Sequence, residues 1–419
     1  MSGATLISHG CRLNIAESEK IAAMLGDADD LVVVNSCAVT AEAVKTARQA
    51  IRRAHRDRPW ARIVVTGCAA ETESETFRAM VEVSAIVPNT KKFELALYPS
   101  SQRKLGSISR SSNMVSPGEG PQLPLGRREG GHARTFLPVQ NGCDHRCTFC
   151  IIPYGRGPSR SLPAGGVIEE IKTAVDQGTK EVVLTGVDLT AYGADLPGQP
   201  SLGSLVARIL KHVPELPRLR LSSLDPCEMD EALLDLIAHE PRLMPHIHLS
   251  LQAGDDMILK RMKRRHSRAQ AVELAAKLKA LRPEMAIGAD LIAGFPTEDA
   301  AMFANTLALI DDCAIALAHI FPYSPRAGTP AARMPQVARD VIRERAARLR
   351  AAAARAKAAW LEEQVGQVTK VLVELDGTSG HAANFARVTL LPSDLVRPNS
   401  IIRARITGVD GDALIGAAA

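Results

Sequence analysis

The chain has 419 residues, of which 46% are hydrophobic, and a net charge of +5. That length predicts a multidomain globular protein, and the mild charge permits an acidic partner such as RNA without requiring one. No stretch approaches the roughly 20 apolar residues of a membrane span, and the N-terminus lacks a basic leader, so we expect a cytoplasmic protein without a membrane segment. In a reducing compartment its eight cysteines favour metal or redox chemistry over disulfides.

Residues 1–97 predict a small parallel α/β domain. Apolar strands alternate with helical stretches and are predicted at residues 4–8, 31–35, 63–66 and 85–87. Cys11, Cys37 and Cys68 each follow one of these strands within a few residues, after a Gly or a Ser. Because loops at the carboxyl ends of parallel strands share one edge of a sheet, the three cysteines are predicted to converge.

A linker and a partial barrel are predicted next. Residues 98–131 are rich in Ser, Gly, Pro and Arg, which favours a solvated connector or a segment that faces RNA. Residues 132–345 predict six β/α units, whose active face lies at the C-terminal ends of the strands. Those strands are predicted at residues 136–140, 181–186, 219–223, 247–252, 287–294 and 318–323.

The later barrel strands contain or border an aspartate and three histidines. Asp290 lies in an otherwise apolar strand, and a buried carboxylate requires a partner, whether it belongs to the core or to a site. His246, His248 and His319 border strands without metal-like pairing, so we expect core or rim histidines.

The C-terminal part predicts a basic helix and a second, smaller barrel. Between Arg326 and Trp360, nine basic side chains stand against two acidic ones, and residues 346–360 are predicted as a linking helix that is either solvated or in contact with RNA phosphates. Residues 361–419 alternate β-branched and polar residues between turns, which predicts an antiparallel barrel of about five strands.

Cys143, Cys147 and Cys150 have CxxxCxxC spacing on the loop after the first barrel strand. A structural zinc ion needs four ligands, and no fourth Cys or His follows at a paired spacing. Three thiolates can ligate three of the four irons in a cubane cluster and leave one iron open. The two cysteine sets therefore predict two iron-sulfur clusters, with a structural cysteine group as the alternative. Cys227 and Cys313 are predicted to be packing residues.

The motifs resemble a known family. The cysteine run with Phe149 before its last member resembles the signature of radical S-adenosylmethionine enzymes. Six further segments of this chain resemble motifs of the methylthiotransferases, a group within these enzymes. The segments are Gly10-Cys11-Arg-Leu-Asn14, Asn35-Ser-Cys37-Ala-Val39, Gly67-Cys68-Ala, His248-Leu-Ser-Leu-Gln252, Asp290-Leu-Ile-Ala-Gly294-Phe-Pro296 and Phe321-Pro-Tyr-Ser-Pro-Arg326-Ala-Gly-Thr329. The segment from Cys150 to Ser161 most resembles the branch that modifies N6-threonylcarbamoyladenosine beside the tRNA anticodon.

This resemblance implies two [4Fe-4S] clusters, S-adenosylmethionine and a tRNA substrate. The barrel cluster would bind S-adenosylmethionine at its open iron and, with an electron from a flavodoxin- or ferredoxin-like donor, cleave it to a 5′-deoxyadenosyl radical. The cluster on Cys11, Cys37 and Cys68 would present sulfur for methylation. A methylthio group would then replace hydrogen at C2 of the modified adenosine at tRNA position 37.

The resemblance also implies roles for individual residues. Cofactor contacts are expected from Phe149, from Gly186 and Asp188 by the methionine amino group, from Ser250 and Gln252 by the ribose, and from Ile292 and Gly294 by the adenine. Gly186 and Gly294 could instead be simple turns. For tRNA phosphates or the threonyl carboxylate the candidates are Arg156, Arg160 and Arg326, and each could instead form an ion pair.

Three alternatives stay open at this point. Within the same family, the substrate could be isopentenyl-adenosine in tRNA or an aspartate of a ribosomal protein. From another class, the chain could be a non-catalytic iron-sulfur protein that binds RNA. The C-terminal barrel, which binds RNA in this family as a TRAM domain, carries seven acidic side chains against five basic ones here, so RNA binding would depend more on the preceding helix.

Overall fold

The computed structural model describes residues 3–99, 133–393 and 395–419. It divides into two compact units, the first comprising Met1–Glu129 with Ile151–Pro158 and the second Gly130–Cys150 with Ser159–Ala419. The predicted linker at 98–131 lies outside the described residues apart from its first two positions. Residues 151–158, expected within the barrel domain, belong instead to the first unit.

The first unit is built on a parallel sheet whose strands follow one another in chain order. The strands are β1 (Thr5–Ser8), β2 (Leu31–Ser36), β3 (Arg62–Gly67) and β4 (Val83–Ile86). Its helices are α1 (Arg12–Leu25), α2 (Ala41–Asp57), α3 (Cys68–Thr72), α4 (Ser74–Arg78) and, from the later segment, α5 (Ile152–Arg156). All six residues of β2 are buried, as expected for a central parallel strand that is covered on both faces.

Alternation along β2 divides the core of this unit into two layers. Val32 and Val34 pack with Ile51 of α2 on one face of the sheet. Leu31 and Val33 pack with Ile21 of α1 on the other face. Successive side chains of a strand point to opposite faces, so an uninterrupted apolar run supplies both layers at once. The predicted α/β sheet is confirmed.

The second unit begins with a partial barrel of parallel strands. Two sheets make it, the first of β5 (Arg134–Pro138), β8 (Glu181–Thr185) and β9 (Arg218–Leu221), the second of β10 (Ser223–Leu224), β11 (His246–Gln252), β12 (Ala286–Ala293) and β13 (Ile315–Pro322). A short antiparallel pair, β6 (Gln140–Asn141) with β7 (Arg160–Ser161), flanks the cysteine loop. The six predicted barrel strands are confirmed, with a break between β9 and β10.

Helices connect these strands and cover the outside of the barrel. They are α6 (Ala164–Asp176), α7 (Leu202–His212), α8 (Glu231–His239), α9 (Asp256–Met262), α10 (Arg268–Leu281) and α11 (Ala300–Asp312). Side-chain caps fix several of their starts. Ser267 and Gln270, for example, form a reciprocal capping box at α10.

A long helix and a small closed barrel complete the second unit. The helix α12 (Arg339–Glu362) extends well beyond the predicted residues 346–360 and exposes Arg343, Arg350 and Arg355. The barrel strands are β14 (Val368–Val373), β15 (Ser379–Ala382), β16 (Arg387–Leu390), β17 (Ile401–Asp410) and β18 (Ala413–Ala418). Five strands close the barrel as predicted, but β16 and β18 pair in parallel, so the barrel is not wholly antiparallel. No helix in the described part of the chain is both long and apolar enough to cross a membrane.

Buried ion pairs join the two barrels of the second unit. Glu181, at the start of β8, accepts hydrogen bonds from Arg220 Nε at 2.8 Å and Nη2 at 3.2 Å. The same Arg220 Nη2 donates to the carbonyl of Ala383 at 3.1 Å, and Arg218 donates to the carbonyl of Lys370 at 2.8 Å. These contacts lie at the N-terminal ends of the barrel strands, the end that serves stability in such folds.

Replacing Glu181 by Gln is expected to destabilise the protein strongly. Glu181 is fully buried, and burial alone would raise its pKa, but Arg220 and Arg218 hold that pKa at about 2. Its neutralisation would leave buried arginines without their carboxylate, which costs about 3–5 kcal/mol. Urea unfolding followed by circular dichroism measures the loss.

Glu169→Gln is the matched control. Glu169 pairs with Lys172 on the exposed face of α6, where such a pair contributes at most about 1 kcal/mol. Equal urea midpoints for the two variants would contradict the structural role assigned to Glu181.

Candidate active site

The first three cysteines follow adjacent strands of the parallel sheet. Ser8, Asn35 and Thr66 stand at one level in the register of β1, β2 and β3. Cys11 lies just before α1, Cys37 directly follows β2, and Cys68 is the first residue of α3. The turns that carry them therefore leave the sheet along the same edge.

Glycine and serine before the cysteines allow the turns to approach closely. A Cβ at Gly10, where φ is +105°, would lie 2.9 Å from Cys37 Sγ. A Cβ at Gly67, where φ is +94°, would lie 2.3 Å from the carbonyl oxygen of Ser36. Ser36 Oγ donates to the carbonyl of Thr66 at 2.6 Å and accepts from the amide of Ala70 at 3.1 Å. Only glycine tolerates these two approaches and backbone conformations without strain.

Arg156 is the nearest cation to this cysteine set in the contacts of the first unit. Its Nε donates to Cys68 Sγ at 3.2 Å, and its Nη1 and Nη2 donate to the Glu17 carboxylate at 2.7 and 3.0 Å. Asn14 Oδ1 accepts from Nη2 at 2.5 Å. Arg156 is buried, so its position supports a role beside Cys68 rather than the expected contact with tRNA or a threonyl carboxylate.

The charges around Cys68 suit an anionic group. Lys92 Nζ also contacts Glu17, at 2.6 Å, so two buried cations meet one carboxylate in this network. Burial would raise the pKa of Glu17, but Lys92 and Arg156 hold it at about 2. A buried positive charge requires a compensating negative one, and thiolates that ligate iron supply it.

The three thiols lie within electrostatic reach of one another. Burial, together with the charges of Cys68 and Cys11, raises the pKa of Cys37 to about 11. Cys11 is exposed as a residue, yet desolvation around its thiol raises its pKa as well. All three cysteines are free, so this donor set fits an iron-sulfur cluster with one iron open to another ligand.

The CxxxCxxC loop in the second unit lies beside a carboxylate and an imidazole. Cys143 Sγ donates to Asp188 Oδ2 at 3.5 Å, and burial, Asp188 and Cys150 together raise the pKa of Cys143 to about 12. His145 Nε2 contacts Asp188 Oδ2 at 2.8 Å. Hydrogen bonds that His145 donates to Asp188 and Glu228 raise its pKa to about 10, so this imidazole is a cation that faces two carboxylates.

Arg264 is the cation beside the middle cysteine of this loop. Its Nη1 donates to Cys147 Sγ at 3.7 Å, and its Nη2 donates to Asp225 Oδ2 at 2.9 Å and to the carbonyl of Ser250 at 2.8 Å. The three free thiols with a cationic neighbour fit a second cluster with an open iron.

Gln140 organises the loop that contains Gly186 and Asp188. Its Oε1 accepts from the amides of Val187 and Asp188, both at 2.9 Å. A Cβ at Gly186 would lie 2.9 Å from this oxygen, so the glycine makes room for the amide side chain. The predicted cofactor residues Gly186 and Asp188 thus lie at the end of β8, next to Cys143.

The remaining predicted cofactor residues lie at the ends of β11 and β12. Gln252 has a φ of +71° after a register shift in β11, a strained conformation that often accompanies a site. Ile292 is buried in an apolar cluster that Phe149 also contacts. Gly294 behaves as a structural turn: its amide donates to Glu298 Oε2 at 2.9 Å, and a Cβ there would lie 2.6 Å from Ile342.

The other two candidate arginines differ in exposure. Arg160 lies on β7 and is exposed, whereas Arg326 is buried on the loop after β13. Sequence reasoning gave no role to Gln140, His145, Arg264 or Glu17, although Gln140 and His145 lie beside or within the CxxxCxxC run. Cys313 is buried as predicted, but Cys227 is exposed instead of packed in the core.

Asp290 has the partner that its burial requires. His248 Nε2 and His319 Nδ1 contact Asp290 Oδ1 at 2.9 and 3.1 Å. His248 is buried as expected for a core histidine, while His319 is exposed. These three side chains therefore form a cluster, although their sequence positions show no ligand-like spacing.

Comparison with known proteins identifies the two regions that contain the cysteines. Residues 137–310 match the Radical SAM superfamily, and residues 4–88 match Uncharacterized protein family UPF0004. The chain is similar in fold to the radical S-adenosylmethionine methyltransferase TsrM from Kitasatospora setae, with a TM-score of 0.51 and 20% identity over 72% of this chain and 64% of that one.

Two relatives extend the similarity over most of the chain. The Threonylcarbamoyladenosine tRNA methylthiotransferase MtaB of Rickettsia prowazekii is 46% identical over 97% of this chain and 95% of its own. The tRNA-2-methylthio-N(6)-dimethylallyladenosine synthase of Erythrobacter litoralis is 35% identical over 88% of this chain and 86% of its own. With both cysteine sets present, the chain belongs to the radical S-adenosylmethionine family of tRNA methylthiotransferases.

Proposed function

We propose that this enzyme places a methylthio group at C2 of N6-threonylcarbamoyladenosine at position 37 of tRNA. The observation that carries the substrate assignment is the 46% identity to a relative named for that nucleoside, against 35% to one named for dimethylallyladenosine. Relatives named for threonylcarbamoyladenosine from Chlamydia pneumoniae and Aquifex aeolicus are 36% and 34% identical, so the assignment rests on the similarity to the Rickettsia prowazekii enzyme. Dimethylallyladenosine is the competing substrate, and the deletion experiment below distinguishes the two nucleosides.

The enzyme uses S-adenosylmethionine and [4Fe-4S] clusters. When bound, they supply a 5′-deoxyadenosyl radical and a methylated sulfur, which no side chain can provide. We assign the radical-forming cluster to Cys143, Cys147 and Cys150, and the sulfur-presenting cluster to Cys11, Cys37 and Cys68. Each set supplies three thiolates, so each leaves one iron for a ligand outside the protein.

Side chains around the barrel cysteines orient the cofactor and fix local charge. Gln140 holds the loop of Gly186 and Asp188 so that Asp188 can accept from the methionine amino group of S-adenosylmethionine. Arg264 ties the carbonyl of Ser250 to Asp225 and thereby fixes the end of β11, where Ser250 and Gln252 are assigned to the ribose. Ile292 and Phe149 supply an apolar surface for the adenine.

Charged groups and a protein partner complete the proposal. Arg160 is exposed and can pair with a tRNA phosphate, and Arg326 remains a candidate for a phosphate or for the threonyl carboxylate. The exposed arginines of α12 offer a further phosphate surface. A flavodoxin- or ferredoxin-like protein would donate the electron, and the cytoplasm, where such reductants and tRNA occur, would be the compartment.

Deletion of the gene is expected to remove one nucleoside from tRNA. Mass spectrometry of digested tRNA should show loss of the methylthio form of threonylcarbamoyladenosine, with the unmethylthiolated form in its place, and expression of the intact chain should restore it. Loss of methylthio-isopentenyladenosine instead would reassign the substrate. An unchanged nucleoside profile would contradict a tRNA-modifying function.

Cys68→Ala is expected to separate the two reactions. The barrel cluster stays intact, so the reduced variant should still cleave S-adenosylmethionine to 5′-deoxyadenosine, while methylthiolation falls to background because sulfur is no longer presented. Anaerobic assays with a chemical reductant measure both products. Cys227→Ala, at an exposed cysteine outside both sets, is the control and should retain both activities. Loss of both activities in folded Cys68→Ala would show that the clusters do not divide the work in this way.

Arg156→Gln is expected to weaken the cluster of the first unit. The change removes the donor to Cys68 Sγ and one of the two cations that face Glu17. Changes of groups around metal ligands typically lower metal affinity about 10- to 100-fold. Iron retained after mild chelation, in a background with the barrel cysteines replaced by Ala, measures the effect.

Arg160→Gln is the matched control, four residues away on the exposed strand β7. In the same background, with the three barrel cysteines replaced by Ala, the Arg160→Gln variant should retain as much iron as the protein without a change at position 160. Equal retention by the Gln variants at positions 156 and 160 would contradict the assigned role of Arg156.

A further inference from the structure

The three last strands of the partial barrel present a polar layer on one face. His248 lies on β11, Asp290 on β12 and His319 on β13, and Asp290 and His319 are direct partners in the strand register. Interior layers of such barrels are usually filled by branched apolar side chains. Burial of the His248 imidazole and of most of the Asp290 carboxylate costs desolvation and needs another explanation than packing.

Both imidazoles contact the same carboxylate oxygen. His248 Nε2 lies 2.9 Å and His319 Nδ1 3.1 Å from Asp290 Oδ1, and the two rings lie 4.8 Å apart. Gly288 makes room for this arrangement, since a Cβ there would lie 2.7 Å from His248 Nδ1. β12 therefore has a glycine at this position, despite the low β propensity of glycine, because a side chain there would clash with the His248 ring.

The layer is open to solvent at one end. The His319 side chain is 61% exposed, Asp290 is 22% exposed and His248 only 8%. The cluster therefore runs from the core of the barrel to its open edge strand, β13. A molecule at that edge can contact His319 without displacing the other two residues.

The layer also lies close to the residues assigned to the cofactor. Ile292 follows Asp290 by two positions in the regularly paired part of β12, so these two residues share one face of the sheet. Two residues along a strand correspond to about 6.6 Å. A group next to the bound cofactor on this face is therefore within reach of the His319 ring.

Hydrogen bonding fixes which nitrogen of His319 is available. Burial opposes ionisation of Asp290, but the hydrogen bonds from His248 and His319 hold its pKa below the usual range, so it accepts as a carboxylate. His319 must then keep its proton on Nδ1, and Nε2 is the nitrogen left for a ligand. A carboxylate bound at Nε2 would place the ring between two carboxylates, and the Nε2–H would donate a hydrogen bond to an anion.

We propose that His319, positioned by Asp290 and His248, binds the threonyl carboxylate of the substrate nucleoside. The inference rests on the proposed function, because threonylcarbamoyladenosine has a carboxylate at its side-chain end and isopentenyl-adenosine has none. His319 would thus be a specificity residue: its Nε2–H donates to the substrate, and its Nδ1–H donates to Asp290. The bond to Asp290 prevents the ring from turning away.

The test removes the carboxylate from the substrate and, separately, the imidazole from position 319. The substrates are an anticodon stem-loop RNA that carries threonylcarbamoyladenosine and the same RNA with the threonyl carboxylate converted to a carboxamide. The protein variant is His319→Asn, because the Asn amide can replace Nδ1–H toward Asp290 but has no counterpart of Nε2. Rates of methylthiolation and of uncoupled S-adenosylmethionine cleavage are measured with both RNAs.

Wild-type enzyme should prefer the carboxylate RNA about 10- to 100-fold in kcat/KM, the range for one hydrogen bond to a charged group. The preference should arise mainly in KM. In His319→Asn it should fall to about one, while uncoupled cofactor cleavage stays at the wild-type rate. A purely structural role would lower the rates with both RNAs and leave their ratio unchanged.

Two further variants complete the design. His239→Asn is the matched control, because His239 on α8 also contacts an Asp Oδ1 through Nδ1, at 3.0 Å from Asp235, but on the exposed surface. It should keep the full preference. Arg326→Gln tests the competing carboxylate ligand and should also keep it.

The possible results separate the two proposals. A preference that persists in His319→Asn, that disappears in Arg326→Gln instead, or that is absent in the wild type would overturn the role of His319 while the substrate assignment stands. Wild-type enzyme that cleaves the cofactor but methylthiolates neither RNA would overturn the substrate assignment itself, and the role of His319 with it.

Discussion

The register of the parallel sheet in the first unit is the constraint on which its chemistry depends. Because Ser8, Asn35 and Thr66 stand at one level, the turns that follow them must leave along the same edge. Cysteines far apart in sequence then share a small volume without any local motif. Gly10 and Gly67 permit the close approach of the turns, so the cluster site proposed here depends on strand pairing as much as on thiol chemistry.

Each unit has an arginine with a buried side chain that contacts both a cysteine sulfur and a carboxylate. Arg156 and Lys92 meet Glu17 beside Cys68, and Arg264 meets Asp225 beside Cys147. In each case a cation contacts a cysteine sulfur and is itself held by a carboxylate. Such pairs cost desolvation, and their position next to thiols explains why the fold retains them.

Much of this architecture follows from periodicity and spacing, and the rest does not. The apolar runs around Val33, Val183 and Leu291 predict their strands closely because a buried parallel strand has no other pattern. The parallel pairing of β16 with β18 and the burial of Arg156 against Glu17 depend on contacts between residues far apart in the chain. No local pattern encodes such contacts. The pairing of His319 with Asp290 was not predicted for the same reason, since the two residues are neighbours only through the pairing of β12 with β13.

We propose that each cysteine set binds a [4Fe-4S] cluster with one iron free for an outside ligand. Mössbauer spectroscopy of the reconstituted, iron-57-labelled protein, alone and with S-adenosylmethionine, tests this proposal. We expect two [4Fe-4S] clusters per chain, and a change on cofactor addition at a single iron of the cluster that is lost when Cys143, Cys147 and Cys150 are replaced. One cluster per chain, or a spectrum that S-adenosylmethionine leaves unchanged, would contradict it.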